Sequence, residues 1–207
     1  QKIKHSDVEW MDHFGHSVSI SGDHFVAGAP IHPKDNLGIN SLADAGAAYI
    51  FKKNSMGTWN ELQKIVASDR SPWDNFGQIV NISGNKIIIG APQEDDDALG
   101  QNTMTAAGSA YIFEETTPGN WIEVQKVVAP DRSTGDGFGN TVAISTDDIM
   151  VGAATEDHDV MGLNFMNKSG SIYVIGECLA TTSTINTSEC DSYTSPSGSV
   201  YNSSGTY

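Results

Sequence analysis

Phe76-Gly77, Gly90-Ala91-Pro92 and Gly108-Ser109-Ala110-Tyr111-Ile112-Phe113 are the middle copy of a phrase written three times. The first copy reads Phe14-Gly15, Gly28-Ala29-Pro30 and Gly46-Ala47-Ala48-Tyr49-Ile50-Phe51. The third reads Phe138-Gly139, Gly152-Ala153 and Tyr173, and each copy follows the last by 62 residues. Gln1-Lys2-Ile3 recurs in the same register as Gln63-Lys64-Ile65 and Gln125-Lys126-Val127. A fixed period of this length marks a repeat architecture, in which one supersecondary unit cannot bury its apolar face alone and stacks on its neighbours. The units are 1–62, 63–124 and 125–186, leaving 187–207 as a linker or the start of a following module.

The second unit shows what is repeated. Phe76 to Ser83 alternates and stops at the hairpin signal Ser83-Gly84-Asn85-Lys86. Lys86 to Ala91 is Ile-rich and closed by Pro92, and a sixteen-residue loop follows before Ser109 to Glu114. A turn at Thr117-Pro118-Gly119-Asn120 leads into Trp121 to Ala129, where Ile122, Val124 and Val127 alternate with polar residues. Four short strands, named A to D, with no helical periodicity predict an all-β protein of antiparallel propeller blades. Phe14, Phe76 and Phe138 are expected to fill the space between blades, with the glycines permitting close backbone approach.

Composition narrows the function. The 207 residues are 38% hydrophobic and 18% charged, as in an ordered globular chain, with a formal net charge of −15. Such acidity argues against nucleic acid or an anionic membrane as partner, because phosphate recognition needs Lys and Arg. There is no apolar run of membrane-spanning length and no leader pattern, so membrane insertion is not expected, and Gln1 is not expected to be the start of a primary translation product. Cys178 and Cys190 fit no metal pattern and are candidates for a disulfide, the alternative being two free thiols.

The triple phrase resembles the FG-GAP repeat of integrin alpha-subunit propellers and of many bacterial surface proteins, over about nine tenths of the chain. That resemblance implies a β-propeller, an extracellular or cell-surface location and a ligand-binding face. The tight A–B turns Gly22-Asp23, Gly84-Asn85 and Thr146-Asp147 depart from the Asp-rich calcium loop of integrin-type blades and are similar to the bacterial short-turn branch. The tail around Cys190, Tyr193, Pro196 and Gly198 resembles the opening of a repeat found in large secreted bacterial proteins.

In a meander the D–A and B–C loops emerge at one face, and sixteen of the 26 acidic residues fall there. Asp12, Asp74 and Asp136, in register, together with Trp10 and Trp73, are the candidate ligand contacts, for a protein or a glycan. Asp35, Asp95, Asp97, Asp157 and Asp159 are candidate calcium ligands, since clustered carboxylates suit a hard cation. Three of these recur in register with Gly38 and Asn40, Gly100 and Asn102, and Gly162 and Asn164. The spacing misses an EF-hand, and the alternatives are a solvated acidic surface or Asp residues that bond their own turn backbones.

No catalytic motif is present. His5, His13, His16, His24, His32 and His158 share no recurring position, which suggests no common metal or base role. The favoured function is a non-enzymatic extracellular binding module, with a structural spacer as the alternative and a hydrolase or its accessory domain behind both. Closed propellers have four to eight blades. Three blades therefore predict completion by further blades of the same parent chain or by a second copy, and Gln1 to His5 reads as a D-like segment at such a cut.

Overall fold

The computed structural model of the chain describes residues 1–146, 148–158 and 165–176, with the backbone of Tyr193–Thr194 and Val200–Tyr201. All regular structure among the described residues is β. The first sheet is β1 (Val18–Ser21), β2 (His24–Ala29), β3 (Ala47–Lys53) and β4 (Trp59–Ile65), paired in that order. The second is β5 (Ile79–Ser83), β6 (Lys86–Ala91), β7 (Ser109–Thr117) and β8 (Asn120–Val127), and the third contains β9 (Phe138–Ile144), β10 (Asp148–Ala153) and β11 (Ser171–Gly176). Every pairing of strands within these sheets is antiparallel, and parallel bridges of Gly46 with Phe76 and Gly108 with Phe138 link the blades. The third blade's D strand would fall outside the described residues, as do Asp147, Cys178 and Cys190. In the tail, β12 (Tyr193–Thr194) pairs with β13 (Val200–Tyr201).

The hairpin signals act where the sequence places them. Gly22 and Gly84 take positive φ in the turns that pair Ser21 with His24 and Ser83 with Lys86. The central Ile87-Ile88-Ile89 run does not alternate because β6 is covered on both sides. Ile87 and Ile89 join Val26, Ala48 and Ile50 of the first blade, whereas Ile88 joins Val142, Ile149 and Val151 of the third. The innermost strands β1, β5 and β9 neighbour one another, so the blades stack face to face as in a propeller.

The repeated phrase is the joint between blades. Phe76 lies in the core between blades one and two and Phe138 in the core between two and three, both fully buried. Gly28 meets Gly77 and Gly90 meets Gly139 so closely that a Cβ on Gly28 or Gly90 would stand 1.9 or 2.0 Å from the facing carbonyl oxygen. Backbone bonds from Phe76 N to the Ala45 carbonyl (3.1 Å) and from Phe138 N to the Ala107 carbonyl (2.9 Å) close the joint.

Side chains at the outer strands repeat in the same register. The Gln63 amide donates to the Trp121 carbonyl at 2.7 Å, and the Gln1 amide donates to the Trp59 carbonyl at 2.9 Å. Ser68 Oγ donates to Glu123, and Ser6 Oγ to Glu61, both at 2.7 Å. The D-like segment Gln1–His5 forms no strand. Through Gln1 and Ser6, however, the N-terminal segment makes with blade one the contacts that the end of β4 and its following loop make with blade two.

Candidate functional site

The D–A and B–C loops interlock around one face. Arg70 donates to the carbonyls of Asn40 (3.1 Å) and Pro33 (2.6 Å), while Trp73 N and Asn75 N donate to Ala43 and Asp44. One repeat later, Arg132 donates to the carbonyls of Asn102 (2.8 Å) and Asp95 (2.7 Å), and Gly135 N and Gly137 N to Thr105 and Ala106. The D–A loops entering blades two and three are thus each held on the preceding B–C loop by a guanidinium and backbone bonds.

Within this face the expected ligand residues separate. Trp10 is 90% exposed and Trp73 62%, and Met11, Ile39, Leu99 and Phe165 of these loops also face solvent. Asp12, Asp74 and Asp136 do not: they are buried and brace their own loops, a correction to their expected role as ligand contacts. Asp12 accepts from the backbone N–H of Glu9 (2.9 Å) and Phe14 (3.2 Å), Asp74 from Ser71 and Asp136 from Ser133. Their recurrence serves the turn that delivers each Phe-Gly to the blade joint, as Asx-type bonding does.

Asp35 and Asp97 answer to the second alternative for the acidic series. Asp35 accepts from the backbone N–H of Leu37, Ile39 and Asn40 and from the Asn40 amide, which hold its carboxyl down at about 2. Asp97 accepts likewise from Leu99, Gln101 and Asn102. Asp95 caps Ala106 N at 2.7 Å, and Asp157 lies 3.1 Å from His158 Nδ1. Asp35, Asp95 and Asp97 are thus bonded within their own B–C loops, whereas Asp157 stands with Glu156 and His158, their ligand atoms within 4.8 Å of one another. Asp159 lies outside the described residues.

A second constellation lies beneath the face, inside blades one and two. In blade two, Tyr111 donates to Asp69 (2.9 Å), and Lys126 reaches both Asp69 (2.7 Å) and buried Glu94 (2.8 Å). Burial, with Glu94 and Asp69 nearby, pushes Asp74 up to about 7. In blade one the same places hold Tyr49, Asp7 and Lys64, but His32 stands in the position of Glu94 and His5 in that of Ala67. His5 Nε2 lies 2.7 Å from Asp12 Oδ2, and His32 Nδ1 lies 3.8 Å from the same oxygen. Burial, with the Lys64 ammonium beside it, pulls His32 down to about 4, so its ring is neutral near pH 7.

The histidines share no repeat position, yet in blade one the fold brings His5 and His32 to the same oxygen of Asp12. A search for one histidine position repeated in every unit misses it. The available signal was the opposite one, two substitutions away from the repeat in a single unit.

Among the described residues no helix is long and apolar enough to cross a membrane. No curated protein matches the chain. Residues 1–51, 59–113 and 121–175 match the FG-GAP repeat. The second and third matched segments open on Trp59 and Trp121 of the outer strands and run through the next blade's first three strands, so the matched unit spans the joint described above. FG-GAP repeats are typical of surface proteins and suggest a propeller-like protein-interaction module. With three matched segments on three stacked antiparallel sheets, this chain belongs to the FG-GAP repeat family.

Proposed function

We propose that the chain is a non-enzymatic, extracellular adhesion module that binds a protein partner through its interlocked loop face. The observation that carries this reading is the exposure of Trp10 and Trp73 on loops braced by the buried Asp12 and Asp74. Exposed aromatics on a rigid scaffold supply large contact area at little ordering cost, and the net charge of −15 favours a basic partner surface. The test is binding of the purified chain to arrays of matrix proteins and of glycans. Saturable binding to basic proteins, weakened by salt and lost in the double variant Trp10→Ala/Trp73→Ala with an unchanged melting curve, is expected. Binding to glycans alone, or binding indifferent to the double variant, overturns it.

The terminal faces support a second reading, concerned with assembly. Val80 and Ile82 are buried against blade one, whereas Val18 and Ile20, one repeat earlier, are 66% and 65% exposed. At the other end Ile172 and Val174 are exposed where Ala110 and Ile112 of blade two are covered. Each end is one half of a blade joint. We propose that further blades of the same parent chain cover them, because Gln1 and Ser6 already make the contacts of a preceding blade's outer strand. Sedimentation of this chain as a 22.1 kDa monomer supports that occupant. A stable dimer would assign the faces to a second copy instead.

A further inference from the structure

We propose that His5, Asp12 and His32, a ligand set that these repeat positions carry in the first blade alone, form a binding site for a divalent transition metal of the zinc class. The donor atoms of the three residues lie within 4.8 Å of one another, and all three residues are buried. His32 is fully buried, yet its Nδ1 has no hydrogen-bond partner and lies 3.8 Å from Asp12 Oδ2. An unsatisfied buried ring nitrogen beside a carboxylate and a second imidazole is costly unless something occupies the space between them.

The far sides of both rings are held by one carboxylate. Asp7 Oδ1 lies 3.1 Å from His5 Nδ1, and Asp7 Oδ2 lies 3.3 Å from His32 Nε2. A carboxylate behind an imidazole fixes the tautomer that leaves the opposite nitrogen free to bind metal. Here His5 Nε2 and His32 Nδ1 are the ring nitrogens next to Asp12 Oδ2, at 2.7 and 3.8 Å. Asp7 is itself anchored, by the Tyr49 hydroxyl at 2.6 Å and the Lys64 ammonium at 2.7 Å. Lys64 also lies 2.8 Å from His32 Nε2. An ammonium only donates, so in the metal-free chain Lys64 donates to His32 Nε2 and the ring proton sits on Nδ1. A metal on Nδ1 moves that proton to Nε2, facing Asp7, and Lys64 turns off Nε2 while keeping its bonds to Asp7 and to the Asp35 carbonyl (2.8 Å).

The dimensions suit a small ion. A tetrahedral zinc with bonds of about 2.0–2.1 Å sets neighbouring ligand atoms roughly 3.3–3.4 Å apart, and the 2.7 and 3.8 Å separations to Asp12 bracket that spacing. Two imidazoles and one carboxylate select zinc or a neighbouring transition ion over calcium, whose preferred ligands are all oxygen. Three protein ligands leave a fourth position for water.

The repeat supplies the control. At the same places blade two holds Ala67, Asp74 and Glu94, and blade three Ala129, Asp136 and Glu156. Two histidines 27 residues apart in sequence replace these residues together in blade one and face the same aspartate oxygen. A metal here would tie the loop bearing Trp10 to the B–C loop at His32.

The experiment is titration of the intact, metal-stripped chain with Zn²⁺ and with Co²⁺, alongside the double variant His5→Ala/His32→Glu, which gives blade one the residues of blade two. Expected for the native chain are one ion per chain with Kd of about 1 µM or tighter, cobalt d–d absorption without thiolate charge transfer, and a higher melting temperature with zinc. The double variant is expected to fold and to lose at least about 100-fold in affinity. Absence of stoichiometric zinc binding, a thiolate spectrum that assigns the ion to cysteine, or equal affinity in the double variant overturns the proposal. If the double variant melts out, His5→Gln is read by the same cobalt spectrum, where unchanged d–d bands overturn it.

Discussion

Gly28 and Gly77 face each other across the joint between blades one and two, with room for no side chain on Gly28: its Cβ would lie 1.9 Å from the Gly77 carbonyl oxygen. One glycine comes from the Gly-Ala-Pro of one repeat and the other from the Phe-Gly of the next. The two halves of the signature are therefore opposite sides of one contact. Substitution of Gly28 or Gly90 by alanine is expected to cost about 3 kcal/mol or more, because backbone must move. Gly152→Ala is expected to cost less than either, since its Cβ, 2.4 Å from Thr141 Cγ2, would clash with a side chain and not with backbone. Urea unfolding of the three variants checks the difference.

Ile20 and Ile82 hold equivalent places in β1 and β5, but only Ile82 is covered by a neighbouring blade. Ile82→Ala should therefore destabilise the chain by about 2–4 kcal/mol, and Ile20→Ala by no more than about 0.5 kcal/mol. Equal effects in chemical denaturation would mean that the face at β1 is covered in solution.

Lys126 joins Asp69 and the buried Glu94, at 2.7 and 2.8 Å. Replacing it with methionine keeps the stem and leaves a buried carboxylate without its cation. A loss of about 3–5 kcal/mol is expected, measured by thermal or urea unfolding. Adding Glu94→Gln should recover part of that loss, because the uncompensated charge is then gone.

Asp74 gives stability a dependence on pH. Its carboxyl stands at about 7 in the fold against an ordinary 3.8, chiefly through burial and then through Glu94 and Asp69. Between those values the folded chain holds a proton that the unfolded chain has released. The contribution is therefore complete below about pH 3.8 and is lost as pH rises through about 7. Asp74→Asn should remove about 2–4 kcal/mol of the decline between pH 4 and 7.5, seen by comparing unfolding free energies of the two chains across that range.

Calcium and zinc should act differently. The carboxylates of Asp35 and Asp97 are occupied by their own loops, so millimolar calcium or its chelation should leave the melting temperature unchanged, while zinc raises it. A calcium-dependent rise, read by scanning calorimetry, would show that these loops open to admit the ion.

The sequence by itself determined the blade. Turn glycines, alternation and the period of 62 are local or strictly repeated features, and they gave strands close to those found, with β6 at Lys86–Ala91 matched at both ends. The period also placed Phe76 and Phe138 at the joints, because only a repeated contact demands a repeated residue. What the sequence left open was the direction in which a side chain points. Asp12, Asp74 and Asp136 recur as a ligand series would, yet their carboxylates turn inward to cap the loop before each Phe-Gly, and that choice depends on backbone N–H groups that the tertiary fold presents. His5 and His32 lack any repeated partner in the sequence, and only the packing of a D–A loop against the start of a B–C loop brings both rings to Asp12. Periodicity reveals what every blade shares, whereas a site built once is set by contacts between segments distant in the chain.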